Sequence, residues 1–178
     1  MRTLPMRRML FAVGALAAVL IYLIWWVTYA GIHYTPRYVV RPPGVAGEVQ
    51  GTSVRLLSLT RAEQLVDTPE DKSGRSEFPD PGGVWIVAEL EAVRHDPGKT
   101  FYCDIELLGP QRRLWARAAT GVGRAIPGCL PDDFAVDRPV RFEAVFLVPI
   151  RYADQLAGVA LVDDSTAART PVITPPAP

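Results

Sequence analysis

The chain has 178 residues, with 19 basic and 19 acidic side chains and a formal net charge of zero. That balance hides an asymmetry: residues 1–43 carry five arginines and no acid, whereas residues 44–165 carry thirteen Lys plus Arg against nineteen Asp plus Glu, a net of −6. An acidic body of this kind is a poor binder of phosphate backbones, whose affinity comes from cationic contacts, so nucleic acid is excluded as a partner.

In chain order, the first element is apolar. No charge occurs from Met9 to Val27, and the next one is Arg37. About 19 residues rising ~1.5 Å each make a helix of roughly 28 Å, close to the ~30 Å hydrocarbon thickness of a bilayer. Trp25, Trp26 and Tyr29 gather at one end, where amphipathic rings favour the headgroup level of a membrane. The alternative is a cleavable signal peptide, with Thr28-Tyr29-Ala30 as a poor cleavage site. Such a peptide needs an apolar region of only ~7–15 residues. No cysteine stands just after the stretch to carry an acyl anchor.

Arg2, Arg7 and Arg8 precede the helix, while Arg37 and Arg41 follow it. Short basic flanks stay cytoplasmic, so the N-terminus is expected inside and everything after Gly31 outside. Gly14 and Ala18 form a small-xxx-small pair that would admit a second helix. Packing against lipid alone is the plainer reading of that pair. The expected organisation is a basic leader over 1–8, a transmembrane signal-anchor helix over 9–30 and a proline-bearing stem over 31–46. An ectodomain over 47–165 and a disordered Pro/Thr-rich tail over 166–178 complete it.

The ectodomain reads as strands. In "VWIVAELEAV", Val84, Ile86, Ala88, Leu90 and Ala92 fall on one face, with Trp85, Val87, Glu89, Glu91 and Val93 on the other. This period-two alternation has one apolar side and one mixed side, as a sandwich strand requires. "FYCDIELL" repeats the pattern, and "GPQR" turns it into "RLWARA" as a hairpin. "RFEAVFLVP" ends at Pro149, "RYADQLAG" predicts a single helical turn, and "GVALVD" predicts a short last strand. With one or two strands in "GEVQGTSVRLLSLTRA", the sum is about seven strands, an all-β sandwich behind one membrane helix.

Cys103 and Cys129 both fall in the outer segment. An even count in an exported domain favours a disulfide between them over two buried thiols. Closing about 25 residues would contribute roughly 3–4 kcal/mol in the chain-entropy account. Zinc is not expected at these cysteines, because His95 is the one imidazole in the ectodomain and the spacing is wrong for a zinc site.

"PGGVWIVAELEAV", followed later by "DRPVRFEAVFLVP", resembles the immunoglobulin-like, telokin-type extracytoplasmic domains of Gram-positive bacterial lipoproteins and secreted antigens. The carrying features are glycine before an apolar strand, and Phe146 two residues before Val148-Pro149. The resemblance covers about residues 47–163. It implies an immunoglobulin-like β-sandwich and export, with no catalytic residue or cofactor to carry over. The spanning helix and the missing acylated cysteine depart from the lipoprotein members.

Candidates for chemistry are few. His95-Asp96 lies in "RHDPGK", a turn, and no ectodomain serine stands in a nucleophile-elbow context. Glu89 and Glu91 share a strand face roughly 7 Å apart, given a ~3.3 Å rise per residue. That spacing suits paired glycosidase carboxylates, and Trp85 on the same face is placed to stack a sugar. Pairing with an arginine such as Arg141 on a neighbouring strand is the simpler reading of the two glutamates. A blue-copper site fails, since every methionine lies at or before Met9. Asp132-Asp133 and the Asp67/Glu70/Asp71 group lack the alternate spacing of a high-affinity calcium loop. Gly121-x-Gly123 lacks a P-loop lysine.

The expectation is thus a non-enzymatic protein-interaction module with no cofactor and no metal. It would be anchored in the cytoplasmic membrane and would contact an envelope or membrane protein. The alternative is an exported hydrolase or carbohydrate binder using Trp85, Glu89 and Glu91.

Overall fold

The computed structural model describes residues 6–33, 37–67, 74–102, 104–122, 135–163 and 170–177, and of residues 6–8 and 32–33 the backbone alone. Met6–His33 form one helix, α1, running three residues past each end of the expected 9–30 span. Within it Met9–Gly31 has a mean hydropathy of 2.4, and none of that stretch is buried against the other described residues. The Thr28 hydroxyl donates to the Ile24 carbonyl at 2.8 Å, so this polar group is satisfied inside the helix. Trp25 stacks on Tyr29 with ring centroids 5.4 Å apart, and Tyr22 on Trp26 at 6.4 Å, each pair one helical turn apart.

Eleven strands follow among the described residues: β1 Tyr38–Val40, β2 Gly47–Val49, β3 Thr52–Ala62, β4 Leu65–Val66, β5 Ser76–Glu77, β6 Gly83–Arg94, β7 Ile105–Leu108, β8 Leu114–Ala116, β9 Pro139–Pro149, β10 Gly158–Leu161 and β11 Thr170–Ile173. One sheet has the order β1-β11-β10-β7-β8, the other β2-β3-β6-β9, and β4-β5 form a small ribbon. The three long strands β3, β6 and β9 are antiparallel neighbours, because their alternating apolar residues need a common partner layer. A bulge at Leu57 breaks the β3–β6 register between Leu56 and Ser58 and shifts the inward parity, so that Leu59 also leans on the core.

The core lies between the two larger sheets. Val54, Leu56, Ala88, Leu90, Ala144 and Phe146 from one sheet are wholly buried there. They meet Ile105, Leu107, Val159, Leu161 and Ile173 from the other. The expected inward set of β6, Val84 to Ala92 at every second residue, is buried as read from the sequence. The architecture is therefore a β-sandwich.

After the β4–β5 ribbon the chain returns to the same sheet, where β6 pairs directly with β3.

Three expectations change. Residues 31–46 are not all stem: Tyr38–Val40 pair in parallel with Thr170–Val172, and the Arg41 N–H donates to the Val172 carbonyl at 2.8 Å. The tail is not all disordered, since Thr170–Ile173 fill the gap between β1 and β10, and Val172 and Ile173 are wholly buried. Two or three apolar residues suffice there because a ready-made sheet edge supplies the backbone partners. Finally, of the described residues of "FYCDIELL", Ile105–Leu108 alone form strand.

Candidate functional site

The mixed face of β6 divides in two. At the end where β6 begins, Trp85 and Val87 pack with Val145, Leu65 and Val122 in a second apolar cluster. The Ala118 N–H ties the covering segment to β9 by donating to the Val145 carbonyl at 2.8 Å. Trp85 is 3 % exposed, so the sugar-stacking surface expected of it is absent. The period-two pattern gave Trp85 its face correctly, but it carries no sign of the residues that fold over that face.

The other half of the face is polar. Glu91 stands opposite Arg141 and Arg55, and Glu89 opposite Glu143 and Ser58. One guanidinium serves both glutamates: Arg141 Nη1 lies 3.8 Å from Glu89 Oε1, and its Nε lies 3.9 Å from Glu91 Oε2. An arginine held between two carboxylates of the neighbouring strand is the cross-strand pairing that exposed sheet faces commonly make. The simpler reading of Glu89 and Glu91 is the one this geometry supports.

His95 Nδ1 is 2.8 Å from Asp137 Oδ1, and both side chains are more than half exposed. The pair joins the turn after β6 to the approach to β9. Ser73 and Ser165 lie outside the described residues, as do Cys103, Cys129, Glu70, Asp71, Asp132 and Asp133. The Asp67 carboxylate accepts the Arg75 N–H at 2.6 Å. Among the described residues no three His, Cys, Asp or Glu side chains gather as metal ligands.

Two arrangements escaped the sequence because strands far apart in the chain build them. On the outer face of the five-stranded sheet, Tyr38, Leu114, Leu108, Ala160 and Val172 form a third apolar cluster. Beside it Glu106 lines an open cleft of about 330 Å³ with Asp104, Tyr102, Ala116 and Arg117. Burial, and then the charge of Asp104, raises the Glu106 carboxyl above the usual glutamate range. Tyr38 is raised as well, chiefly by burial and then by Glu106, with Arg112 acting against both.

At the end of the sandwich where β7 turns into β8, Arg113 and Arg151 each place a guanidinium 4.8 Å from the centre of the Tyr152 ring. Trp115 lies 5.8 Å from that ring, and it covers Gly109 so closely that a Cβ there would come within 2.3 Å of the indole. Neither arginine makes an ion pair with a described residue. The turn itself is strained, because Gln111 and Arg112 both hold positive φ, 56° and 60°. Two-residue hairpins normally place Asn and Gly at those positions.

No protein-family model matches the chain, and none of the curated proteins matches it either. Two solved structures resemble it in part. A conserved hypothetical protein from Bacillus anthracis shares 13 % identity at a TM-score of 0.49, over 67 % of this chain and 86 % of that one. An uncharacterized β-sandwich protein from Clostridium difficile shares 9 % at 0.45, over 78 % and 93 %. At these scores neither likeness carries an argument, and the sandwich stands on its own sheets.

Proposed function

We propose that this chain is a single-pass membrane protein whose sandwich works outside the cytoplasmic membrane as a non-enzymatic contact module for another envelope or membrane protein. The observation that carries the reading is the isolation of α1. Among the described residues nothing buries its 23-residue apolar stretch, and the length of that stretch matches the hydrocarbon thickness of a bilayer. The basic leader favours an inside N-terminus. An immunoglobulin-like module belongs to this reading, supported by the two-layer layout of the sheets.

The polar groups fit a binding role better than a catalytic one. Glu89 and Glu91 share Arg141, and Trp85 is enclosed. The surface we favour for the partner is the Arg113–Tyr152–Arg151 group. Stacked guanidinium groups keep their N–H edges free for an acidic counterpart.

The experiment has two arms. Carbonate extraction of membranes should leave the protein in the pellet, and protease added outside intact spheroplasts should digest the sandwich. A photocrosslinker at position 151 should then yield one recurrent protein adduct that a crosslinker at position 141 does not. A soluble or protected sandwich overturns the anchoring, and identical adduct patterns at 141 and 151 overturn the choice of surface.

A further inference from the structure

The strand register places a particular set of residues at the end where the chain enters the sandwich. β1 starts there at Tyr38, opposite Thr170. Gln50 joins the two sheets at the same end: its side-chain amide N–H donates to Asp163 Oδ1 at 3.4 Å, and its oxygen accepts the Tyr102 N–H at 3.4 Å. The turn after β6 closes on Gly51, whose carbonyl accepts the His95 N–H at 2.9 Å. The approach to β9 is held there as well, by the Asp137 N–H donating to the Arg94 carbonyl at 2.8 Å. Among the described residues at this end, Tyr102 and Val136 are exposed large apolar side chains, 75 % and 40 % accessible, and Val39 on β1 is 41 % accessible.

We infer that this end of the sandwich rests on the bilayer surface, with lipid headgroups and the upper acyl region as the partner of Tyr102 and Val136. The inference depends on the anchor reading above. Four residues, 34–37, separate the end of α1 at His33 from Tyr38. At most ~3.6 Å per residue lets them span no more than about 18 Å. The long strands, at ~3.3 Å per residue, reach about 36–40 Å from end to end. The entry end is therefore always within reach of the headgroups, and the Arg113–Arg151 end is not while the domain stands upright.

Chemistry favours contact over mere nearness. Tyrosine is an interfacial side chain, with an apolar ring and a polar tip. Arg37 and Arg138 are exposed at this end, and each such cation contributes about 1 kcal/mol beside anionic lipid. Carboxylates stand there too, and three of them already have partners: Asp96 lies 3.9 Å from Lys99, Asp137 pairs with His95, and Asp163 accepts from Gln50. Attachment through α1 keeps the local concentration of headgroups high, so a weak surface preference is enough to orient the domain.

The test uses the full chain in nanodiscs of phosphatidylcholine and phosphatidylglycerol, doped with a gadolinium-chelating lipid headgroup. Amide signals of Gly51, Gly98, Tyr102 and Asp137 should lose most of their intensity, while those of Gln111, Arg112 and Asp154 keep theirs. A second chain carries about twenty added Gly/Ser residues between His33 and Tyr38, a linker with an r.m.s. span of about 25 Å. Lipid contact keeps the pattern with the long linker, and Tyr102→Ser with Val136→Ser weakens it. Recovery of all signals with the long linker means proximity without contact and overturns the inference. So does equal loss at both ends, or a loss that follows Val39–Val45 along the sheet edge. A chain that never enters the nanodisc removes the anchor reading instead, and this inference with it.

Discussion

Arg141 stands between Glu89 and Glu91, with one guanidinium nitrogen 3.8 Å from the first and another 3.9 Å from the second. The arginine is 69 % exposed and the contacts are long, so water screens most of the attraction. Pairs of this kind contribute about 0–1 kcal/mol. Arg141→Ala should therefore lower stability by less than about 1 kcal/mol in urea denaturation. Arg141→Glu should cost more than the alanine, because it sets four acids together on β6 and β9. A loss above ~3 kcal/mol for the alanine would mean that the arginine is a buried structural strut.

The C-terminal strand should be indispensable. A chain ending at residue 165 lacks β11 and with it Val172 and Ile173, both wholly buried. Each such side chain is worth about 1.5–3 kcal/mol, and β1 loses its strand partner and β10 one of its two besides. The expected outcome is a loss above ~3 kcal/mol, or failure to fold, read by circular dichroism melting. Removing residues 177–178 alone should leave the melt unchanged.

Strain in the β7–β8 turn should be relievable. Gln111 and Arg112 occupy left-handed backbone at φ 56° and 60°, a conformation costing roughly 1–2 kcal/mol for a side chain other than Gly or Asn. Gln111→Asn combined with Arg112→Gly should raise stability by about 1 kcal/mol or more in urea denaturation. An unchanged midpoint would show that the turn is not strained in solution.

Glu106 should leave a signature in the pH dependence of folding. Burial and Asp104 raise its carboxyl in the folded state, so the folded chain holds that proton more tightly than the unfolded chain does. Its contribution favours folding at low pH and is lost as pH rises from the ordinary glutamate range through the raised value. Urea midpoints between about pH 4 and pH 7 should therefore show a downward component with rising pH that Glu106→Gln abolishes. If the two chains give parallel curves, the carboxyl is fully solvated.

Much of the fold was legible because one face of β6 and one face of β9 are uniformly apolar. Val84 to Ala92 and Phe142 to Val148 alternate without exception, and the structure buries those residues. Local pattern does not report what lies above a strand's other face. Trp85 and Glu89 occupy the same side of β6, yet one is enclosed and the other solvated, because Leu65 and Val122 cover only one end. The tail was illegible for a related reason. "TPVI" is too short and too Pro-flanked to announce a strand, and it becomes one only where β1 and β10 leave a slot. The Arg113–Tyr152–Arg151 group joins a turn and a 3₁₀ segment thirty-odd residues apart, so neighbouring letters give no hint of it. Trp25, Trp26 and Tyr29, by contrast, sit within one helix, where spacing alone predicts their stacking.

The parallel pairing of β1 with β11 has a bearing on biogenesis. The strand that follows α1 is completed by one made well over a hundred residues later, since Tyr38 pairs with Thr170. Val39 and Val40 therefore present a bare strand edge until Thr170–Ile173 have been made. Such edges template aggregation, so the nascent sandwich stays vulnerable until β11 docks, and any holdase serving it has to shield that edge.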